Sequence, residues 1–141
     1  MRFWDFYALL LSAAVVNAEN EGYRKFRNQH IIGEMSVNRC SAVIRSRHIT
    51  KTGSNECKET NTFIVSPPNP VIAVCEDRGT SYGTMTRSVN PFHVIRCTLR
   101  NQQGRYPNCE YRGYASTRYI AVNCEGRLPV HYDGDIVLID S

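Results

Sequence analysis

Two histidines and a lysine, far apart in the sequence, are the residues best suited to do chemistry in this chain. His30 follows Gln29, Lys58 follows a cysteine, and His131 stands two residues before Asp133. Imidazoles exchange protons near neutral pH, and an ammonium group stabilises negative charge that builds up on oxygen. The combination indicates a metal-free acid–base site for splitting a phosphodiester.

Taken singly, each of these residues has an ordinary alternative. Strand alternation puts His131 and Asp133 on one face, where the carboxylate can fix the imidazole tautomer, but an isolated pair of this kind is more often simply exposed. His30 falls near the end of a helical pattern, where the helix dipole favours a cation whatever its chemistry. Lys58 alone would be read as a solvated charge. The catalytic interpretation therefore depends on the three residues together.

The elements that must position these residues have helical patterns at the beginning of the chain and extended patterns at its end. The pattern predicts a helix over Glu21–Ile32, capped by Asn20 and ended by Gly33, and a second helix over Ser41–Lys51. Prolines 67, 68 and 70 predict a turn into a short helix that is completed by residues 71–75. Strands are predicted for Lys58–Val65, Phe92–Arg100, Glu110–Tyr114, Tyr119–Cys124 and Val130–Ile139. Helices followed by an antiparallel sheet indicate the α+β class.

The strand-like run from Lys58 to Val65 has a direct consequence for the site. A period of two places Lys58 and Thr62 on one side and Phe63 on the other. Lys58 and Thr62 can therefore share a site while Phe63 enters the core.

The six cysteines indicate a disulfide-stabilised extracellular domain. They are Cys40, Cys57, Cys75, Cys97, Cys109 and Cys124. An even count behind a signal peptide predicts three disulfides, although spacing leaves their pairing open. No Cys-x-x-Cys occurs and the four histidines are scattered, so no zinc ligand set is visible, and we expect neither a metal nor a cofactor.

The first 18 residues have the features of a signal peptide. Arg2 gives a positive start, Phe6–Val16 is apolar, and small residues precede the expected cleavage after Ala18. Residues 19–141 would then form one secreted domain with a modest core and no transmembrane segment. The net charge of +4 favours anionic partners such as RNA, heparan-type polyanions or a bacterial surface.

Several motifs, spread over the whole mature chain, resemble the pancreatic-type ribonuclease (ribonuclease A) superfamily. The motifs are Lys25-Phe26…Gln29-His30, Cys57-Lys58…Asn61-Thr62-Phe63, Tyr106-Pro107-Asn108-Cys109 and Cys124-Glu125-Gly126…Pro129-Val130-His131-Tyr132-Asp133. The resemblance implies three helices packed on a V-shaped antiparallel sheet, with the active site in the cleft. It also implies the disulfides Cys40–Cys97, Cys57–Cys109 and Cys75–Cys124. The stretch 76–87 has no cysteine for a fourth bridge, which is the pattern of the angiogenin and fish ribonuclease branch.

The same resemblance assigns roles to the site residues. It makes His30 the general base for the ribose 2′-OH, His131 the general acid for the leaving 5′-oxygen, and Lys58 the group that stabilises charge on the phosphate. Thr62 would read a pyrimidine base with its backbone N–H and its hydroxyl. The further substrate-binding candidates are Gln29, Asn61, Tyr132, Asp133, Lys25 and Glu125. The expected reaction is cleavage 3′ of pyrimidines through a 2′,3′-cyclic phosphate, with modest activity.

Three features leave a second kind of function open. The bridge-free loop 76–87 lacks a recognisable second base-binding asparagine, and the apolar residues 136–139 could obstruct the pyrimidine pocket. Arg45, Arg47, His48 and Lys51 form a basic stretch, which is either a polyanion-binding surface or an ordinary solvated helix face. The alternative is therefore an angiogenin-like growth factor with a cell-surface receptor, or a cationic host-defence protein. We expect a monomer in either case.

Overall fold

The helices of this computed structural model lie in the first half of the chain, as the sequence predicts. The structure describes residues 21–136, without the side chain of Asp135. The predicted signal peptide, the Asn20 cap and the tail beyond residue 136 lie outside the described residues. Within them, the helices are α1 (21–30), α2 (Cys40–Ser46) and α3 (Pro68–Ile72), with 3-10 turns at Val37–Arg39 and Ala73–Cys75.

Seven strands form one sheet in the described part of the chain. They are β1 (Ile31–Ile32), β2 (Thr60–Val65), β3 (Gly79–Tyr82), β4 (Met85–Ser88), β5 (Phe92–Leu99), β6 (Tyr111–Glu125) and β7 (Leu128–Ile136). Their order is β1-β2-β5-β6-β4-β3, with β7 also paired to β6. The first half of β6 pairs with β5 and the second half with β7 and β4, so β6 belongs to both halves of the sheet. The predicted α+β fold class is confirmed.

The sheet is mixed, where the sequence predicts an antiparallel one, and the reason also corrects the first helix. Ile31 and Ile32 pair in parallel with Ile64 and Val65, so α1 ends at His30 and the next two residues form β1. Two β-branched residues can bury their side chains in either conformation, and here pairing with β2 decides between them.

Other boundaries also differ from the prediction, and β2 begins at Thr60, so Lys58 lies before the strand. The second helix ends at Ser46 because His48 takes a φ of 55°, a left-handed conformation that a helix cannot continue through. The two strands predicted over residues 110–124 are one long strand, β6. The bridge-free loop 76–87 contains most of the β3–β4 hairpin, whose turn includes Gly83 with a φ of 64°.

The core is divided into two clusters by the central strands. Alternate residues of β2 enter different clusters: Phe63 packs with α2 on one side, and Ile64 packs with α1 on the other. Ile95 and Val94 of β5 repeat this division. Both faces of β2 are therefore buried: Phe63 enters the core as predicted, and Ile64, on the opposite side of the strand, is buried as well.

Three disulfides join the elements. They are Cys40–Cys97, Cys57–Cys109 and Cys75–Cys124, the pairs that the family resemblance implies. The first ties α2 to β5, and the second holds the residue before Lys58 close to the start of β6. The peptide bond between Tyr106 and Pro107 is cis.

Candidate active site

His30 is positioned by the junction between α1 and β1. Because β1 lies alongside β2, the His30 side chain comes next to Thr62, and its Nδ1 is 2.8 Å from the Thr62 carbonyl oxygen. A carbonyl can only accept a hydrogen bond, so Nδ1 carries the proton and donates it. The lone pair of the neutral ring is then on Nε2, where it can accept a proton from a substrate.

The surroundings of His30 favour this neutral form. The residue is only 7% exposed, and burial lowers the pKa of His30 to about 4. The hydrogen bond to Thr62 acts in the opposite direction and raises the pKa, whereas the positive charge of Lys58 lowers it further. At neutral pH the imidazole is therefore uncharged. A neutral imidazole with a fixed tautomer is ready to act as a general base.

Two aromatic rings fix the plane of the imidazole. Phe26, one turn earlier on α1, lies with its centroid 5.3 Å from that of His30 in a tilted arrangement. Tyr132 of β7 stacks on the His30 ring, with the two ring centroids 5.1 Å apart and an interplanar angle of 28°. The ring is thus held between α1 and β7, and the strand that carries His131 touches His30 directly.

Lys58 stands just before β2 and is held by a chain of hydrogen bonds. Its Nζ donates to Asn61 Oδ1 at 2.9 Å, and Asn61 Nδ2 donates to the Gln29 carbonyl oxygen, also at 2.9 Å. Burial lowers the pKa of Lys58, and the charge of Lys25 lowers it further. An ammonium group has three N–H donors, so two remain to meet an anionic substrate.

Asn61, one of the substrate-binding candidates, is hydrogen-bonded on both sides by its protein neighbours. It is 2% exposed, and both ends of its amide are occupied by Lys58 and Gln29. Asn61 therefore connects Lys58 to the residue next to His30. Asn61 thus holds the Lys58 ammonium group from a position that is closed to solvent.

Tyr111 is a residue of this network that sequence reasoning missed. Its hydroxyl donates to the Lys58 carbonyl oxygen at 2.6 Å, and burial raises the pKa of Tyr111 to about 12, so the hydroxyl keeps its proton. The position of Tyr111 two residues after Cys109 could have indicated its place near Lys58. Because Cys57 is bridged to Cys109, the residue after one cysteine must lie near the residues after the other.

His131 and Asp133 lie on the exposed side of β7. Val130 is buried and Tyr132 is half-buried against His30, whereas His131 and Asp133 are exposed to solvent. This is the alternation that the sequence predicts for the strand. Among residues 21–136 no hydrogen bond joins His131 to Asp133, so the orienting role of Asp133 stays a prediction.

The remaining candidates surround this centre. Thr62 is buried, and its carbonyl holds His30. Gln29 is half-buried, and Lys25 lies on the exposed face of α1, close enough to lower the pKa of Lys58. Glu125 is exposed at the end of β6, opposite Leu128 across the turn to β7. Within the described residues no group of three or more His, Cys, Asp or Glu side chains could hold a metal ion.

The basic stretch does not form one helical surface. Arg47 Nη1 donates to the carbonyl oxygens of Asn28 and Ile31, both at 2.8 Å, and so caps the end of α1. Burial and the nearby charge of Arg27 lower its pKa. His48 lies beyond the helix and its ring is 5.1 Å from that of Tyr106, whereas Lys51 pairs with Glu56 at 3.7 Å. Arg47 is thus largely engaged within the protein.

Comparisons with known proteins find similarity over most of the chain. The family model described as pancreatic ribonuclease matches residues 21–133. Ribonuclease-like 3 of Danio rerio is 44% identical over 121 residues, which cover 82% of this chain and 80% of that protein. Angiogenin-4 of Mus musculus is 34% identical over 124 residues, covering 85% of this chain and 83% of the relative.

A solved structure shows the same fold. The X-ray structure of zebrafish RNase5 superposes with a TM-score of 0.80 at 41% sequence identity. The match covers 83% of this chain and 96% of the zebrafish chain. The likeness therefore extends over nearly the whole of the zebrafish domain.

Proposed function

The chain belongs to the pancreatic ribonuclease family and is a ribonuclease, and we propose that it is a secreted endonuclease that cuts RNA on the 3′ side of pyrimidines without a metal ion. The observation that carries the proposal is the hydrogen bond from His30 Nδ1 to the Thr62 carbonyl. It fixes the tautomer that leaves Nε2 free to take a proton. Burial supports the same role by keeping the ring neutral.

The first step is a transphosphorylation. His30 Nε2 takes the proton of the ribose 2′-OH, and the 2′-oxygen attacks the phosphorus. Lys58 donates to a non-bridging oxygen, where negative charge builds up in the transition state. His131 gives its proton to the 5′-oxygen as the bond from phosphorus to that oxygen breaks, which releases the downstream RNA and leaves a 2′,3′-cyclic phosphate.

The second step opens the cyclic phosphate with water and reverses the roles of the histidines. His131 now takes a proton from water, and His30 returns its proton to the 2′-oxygen as the ring opens. The exposed position of His131 supports this assignment, because the leaving group departs into the solvent and the water arrives from it.

The remaining residues bind and orient the RNA. Thr62 reads the pyrimidine, since a hydroxyl both donates and accepts and so suits uracil as well as cytosine. Gln29 binds the reacting phosphate, Tyr132 lines the site, and Asp133 orients His131. Lys25 and Glu125 contact the flanking phosphate and the next base.

Secretion is part of the proposal. Residues 1–18 act as a signal peptide, and three disulfides suit an oxidising compartment. No helix within residues 21–136 is long and apolar enough to cross a membrane.

The test uses residues 19–141 with polyuridylate, polycytidylate and polyadenylate in excess chelator. We expect cleavage of the two pyrimidine polymers, little cleavage of polyadenylate, and a 2′,3′-cyclic phosphate as the first product. A matched oligonucleotide with 2′-deoxyribose at its single pyrimidine should bind without being cut, because it lacks the nucleophile. Loss of activity in chelator, or equal cleavage of all three polymers, would overturn the proposal.

A further inference from the structure

A cavity of about 680 Å³ lies behind α1, between the end of α2 and the segment that leads into α3. Three arginines line it: Arg24 and Arg27 belong to α1, and Arg47 directly follows α2. Among residues 21–136 no Asp or Glu side chain lines the cavity. Three positive charges therefore border one cavity, and no lining carboxylate neutralises them.

The cavity is on a different side of α1 from the candidate active site. Arg27 and Asn28 lie three and four residues after Arg24, so the three residues share one face of the helix, and all of them line the cavity. Lys25 and Gln29, which are also four residues apart, lie on another face. Since each residue turns a helix by about 100°, these two faces point in nearly opposite directions. A ligand in the cavity would therefore leave the candidate active site open.

Arg47 is held in place before any ligand binds. Its Nη1 donates to the carbonyl oxygens of Asn28 and Ile31, both at 2.8 Å, and its guanidinium carbon lies 5.9 Å from the centroid of the Phe63 ring. In the described part of the chain every hydrogen bond of this guanidinium uses Nη1. Nη2 and Nε therefore keep their donors for a ligand. A side chain that is already ordered also adds little entropic cost to binding.

The two arginines of α1 complete the charged wall. Arg24 and Arg27 are exposed, and neither guanidinium donates to a protein acceptor within residues 21–136. Burial lowers the pKa of Arg47, and the positive charge of Arg27 lowers it further, so these two guanidinium groups are close enough to repel each other. An anion between them would replace this repulsion by attraction. Because a guanidinium fork matches the oxygens of a phosphate or sulfate group, the arginines favour a tetrahedral oxyanion.

Another wall of the cavity is apolar and includes Ile31, Pro67 and Pro68. The volume is far more than one oxyanion fills, and it lies within the range of about 300–1,000 Å³ that is typical of small-molecule sites. The two proline side chains are apolar rings against which another ring can pack. The ligand should therefore carry its oxyanion on a ring-shaped apolar body.

We propose that this cavity binds a phosphate monoester carried on a planar ring, with the phosphate at the three arginines and the ring against Pro67 and Pro68. A phosphate monoester has nearly two negative charges at neutral pH and three acceptor oxygens. A sulfate monoester has a single charge, so three cations favour the phosphate. The proposal concerns a small ligand and is independent of RNA cleavage at His30 and His131.

The experiment titrates residues 19–141, at about pH 7.5 where a phosphate monoester is a dianion, with four probes. The probes are phenyl phosphate, phenyl sulfate, inorganic phosphate and phenol, which separate the contribution of the charge from that of the ring. NMR follows the Nε–H signal of Arg47 for the cavity. It follows the ring protons of His131 for the candidate active site, which also attracts anions.

The four probes should differ in affinity at Arg47. Phenyl phosphate is expected to bind about tenfold more tightly than inorganic phosphate, because its ring buries apolar surface against the prolines. It should also bind several times more tightly than phenyl sulfate, whose charge is smaller. Phenol should give no saturable shift, since it has no anionic group.

Two double variants test the arginines. R24Q/R27Q keeps Arg47 as the reporter, and the matched control R105Q/R112Q removes two exposed arginines outside the cavity. R24Q/R27Q should weaken phenyl phosphate binding by about tenfold, the equivalent of one charge-assisted hydrogen bond. The control should weaken it by less than about twofold, because salt screens distant charges. Melting temperatures check that both variants are folded.

The absence of a saturable Arg47 shift with phenyl phosphate would overturn the inference, as would equal affinity for inorganic phosphate or for phenyl sulfate. Equal losses in the two double variants would also overturn it, because net charge alone would then attract the anion. If R24Q/R27Q raises KM for polyuridylate and leaves phenyl phosphate binding unchanged, these arginines contact RNA and the inference is wrong. Failure to cut RNA would contradict the proposed function and would not affect this binding test.

Discussion

The two histidines of the site lie in opposite environments. His30 is enclosed between Phe26 and Tyr132 and bonded to the Thr62 carbonyl, whereas His131 stands on the exposed side of β7. A general base that must be neutral gains from burial, which lowers its pKa. A general acid that must meet a leaving group and then water gains from access to solvent. The difference in surroundings supports the two different tasks that the proposed mechanism gives to one residue type.

The largest expected effect separates catalysis from stability at the two positions. H30A and H131A should each lower kcat on polycytidylate by about 10² to 10⁴, the usual worth of a general acid or base. H30A should also lower the free energy of unfolding by about 1–3 kcal/mol, because the Thr62 carbonyl loses its buried donor. H131A should change that free energy by less than about 0.5 kcal/mol.

Denaturant unfolding of both variants, alongside the kinetics, checks this contrast. His93, exposed on β5 and hydrogen-bonded to Thr117, is a suitable control, and H93A should keep full activity. Equal losses of stability in H30A and H131A would contradict the distinction between an enclosed and an open histidine.

The second prediction concerns pH and stability. The pKa of folded His30, about 4, lies below the ordinary value of 6.5, so the unfolded chain binds more protons between these pH values. The contribution of His30 to the free energy of unfolding should therefore fall by about 3 kcal/mol as the pH drops from above 6.5 to below 4.

The difference between the unmodified protein and H30Q isolates this contribution, because glutamine does not titrate and all other groups are shared. Unfolding curves between pH 3 and 8, a range of about five pH units that brackets both pKa values, measure it. A difference that stays constant with pH would mean that burial does not depress the histidine pKa.

The third prediction tests whether Lys58 and Asn61, which are hydrogen-bonded beside the enclosed His30, act as one unit. N61A should lower the free energy of unfolding by about 2 kcal/mol, because the half-buried Gln29 carbonyl loses a donor, and should lower kcat through Lys58. In a K58A background the effect of N61A on kcat should largely disappear, since Lys58 is the residue that Asn61 holds. Additive losses of kcat in the double variant would assign Asn61 a separate role.

The smallest expected effect concerns Tyr111. Y111F removes the hydroxyl that bonds the Lys58 carbonyl and should lower the free energy of unfolding by about 1 kcal/mol, with a modest loss of kcat. Y82F, on an exposed tyrosine of the hairpin, should change neither quantity. A loss of kcat in Y111F as large as that in K58A would show that the position of the lysine depends mainly on this one bond.

Local sequence patterns predicted those parts of the molecule in which the structure of a segment depends mainly on residues nearby in the sequence. Alternation predicted the two faces of β7, and the prolines predicted a turn into a short helix, which in the structure begins at Pro68. Long-range pairing decided the rest. Ile31 and Ile32 could continue a helix but instead pair with β2, and the 76–87 stretch, read as a loop, forms a hairpin that packs on β6.

The sequence by itself determined which groups are available: two imidazoles, an ammonium group, a threonine and six cysteines in an order that resembles one family. Only the tertiary structure decided their states, because a tautomer and a pKa depend on the atoms around a ring. The Thr62 carbonyl is 32 residues away from His30 along the chain, and β1 pairing brings it within 2.8 Å. Strand register likewise brings Thr62 opposite Arg96 and Arg96 opposite Tyr114, although the three residues come from separate segments of the chain.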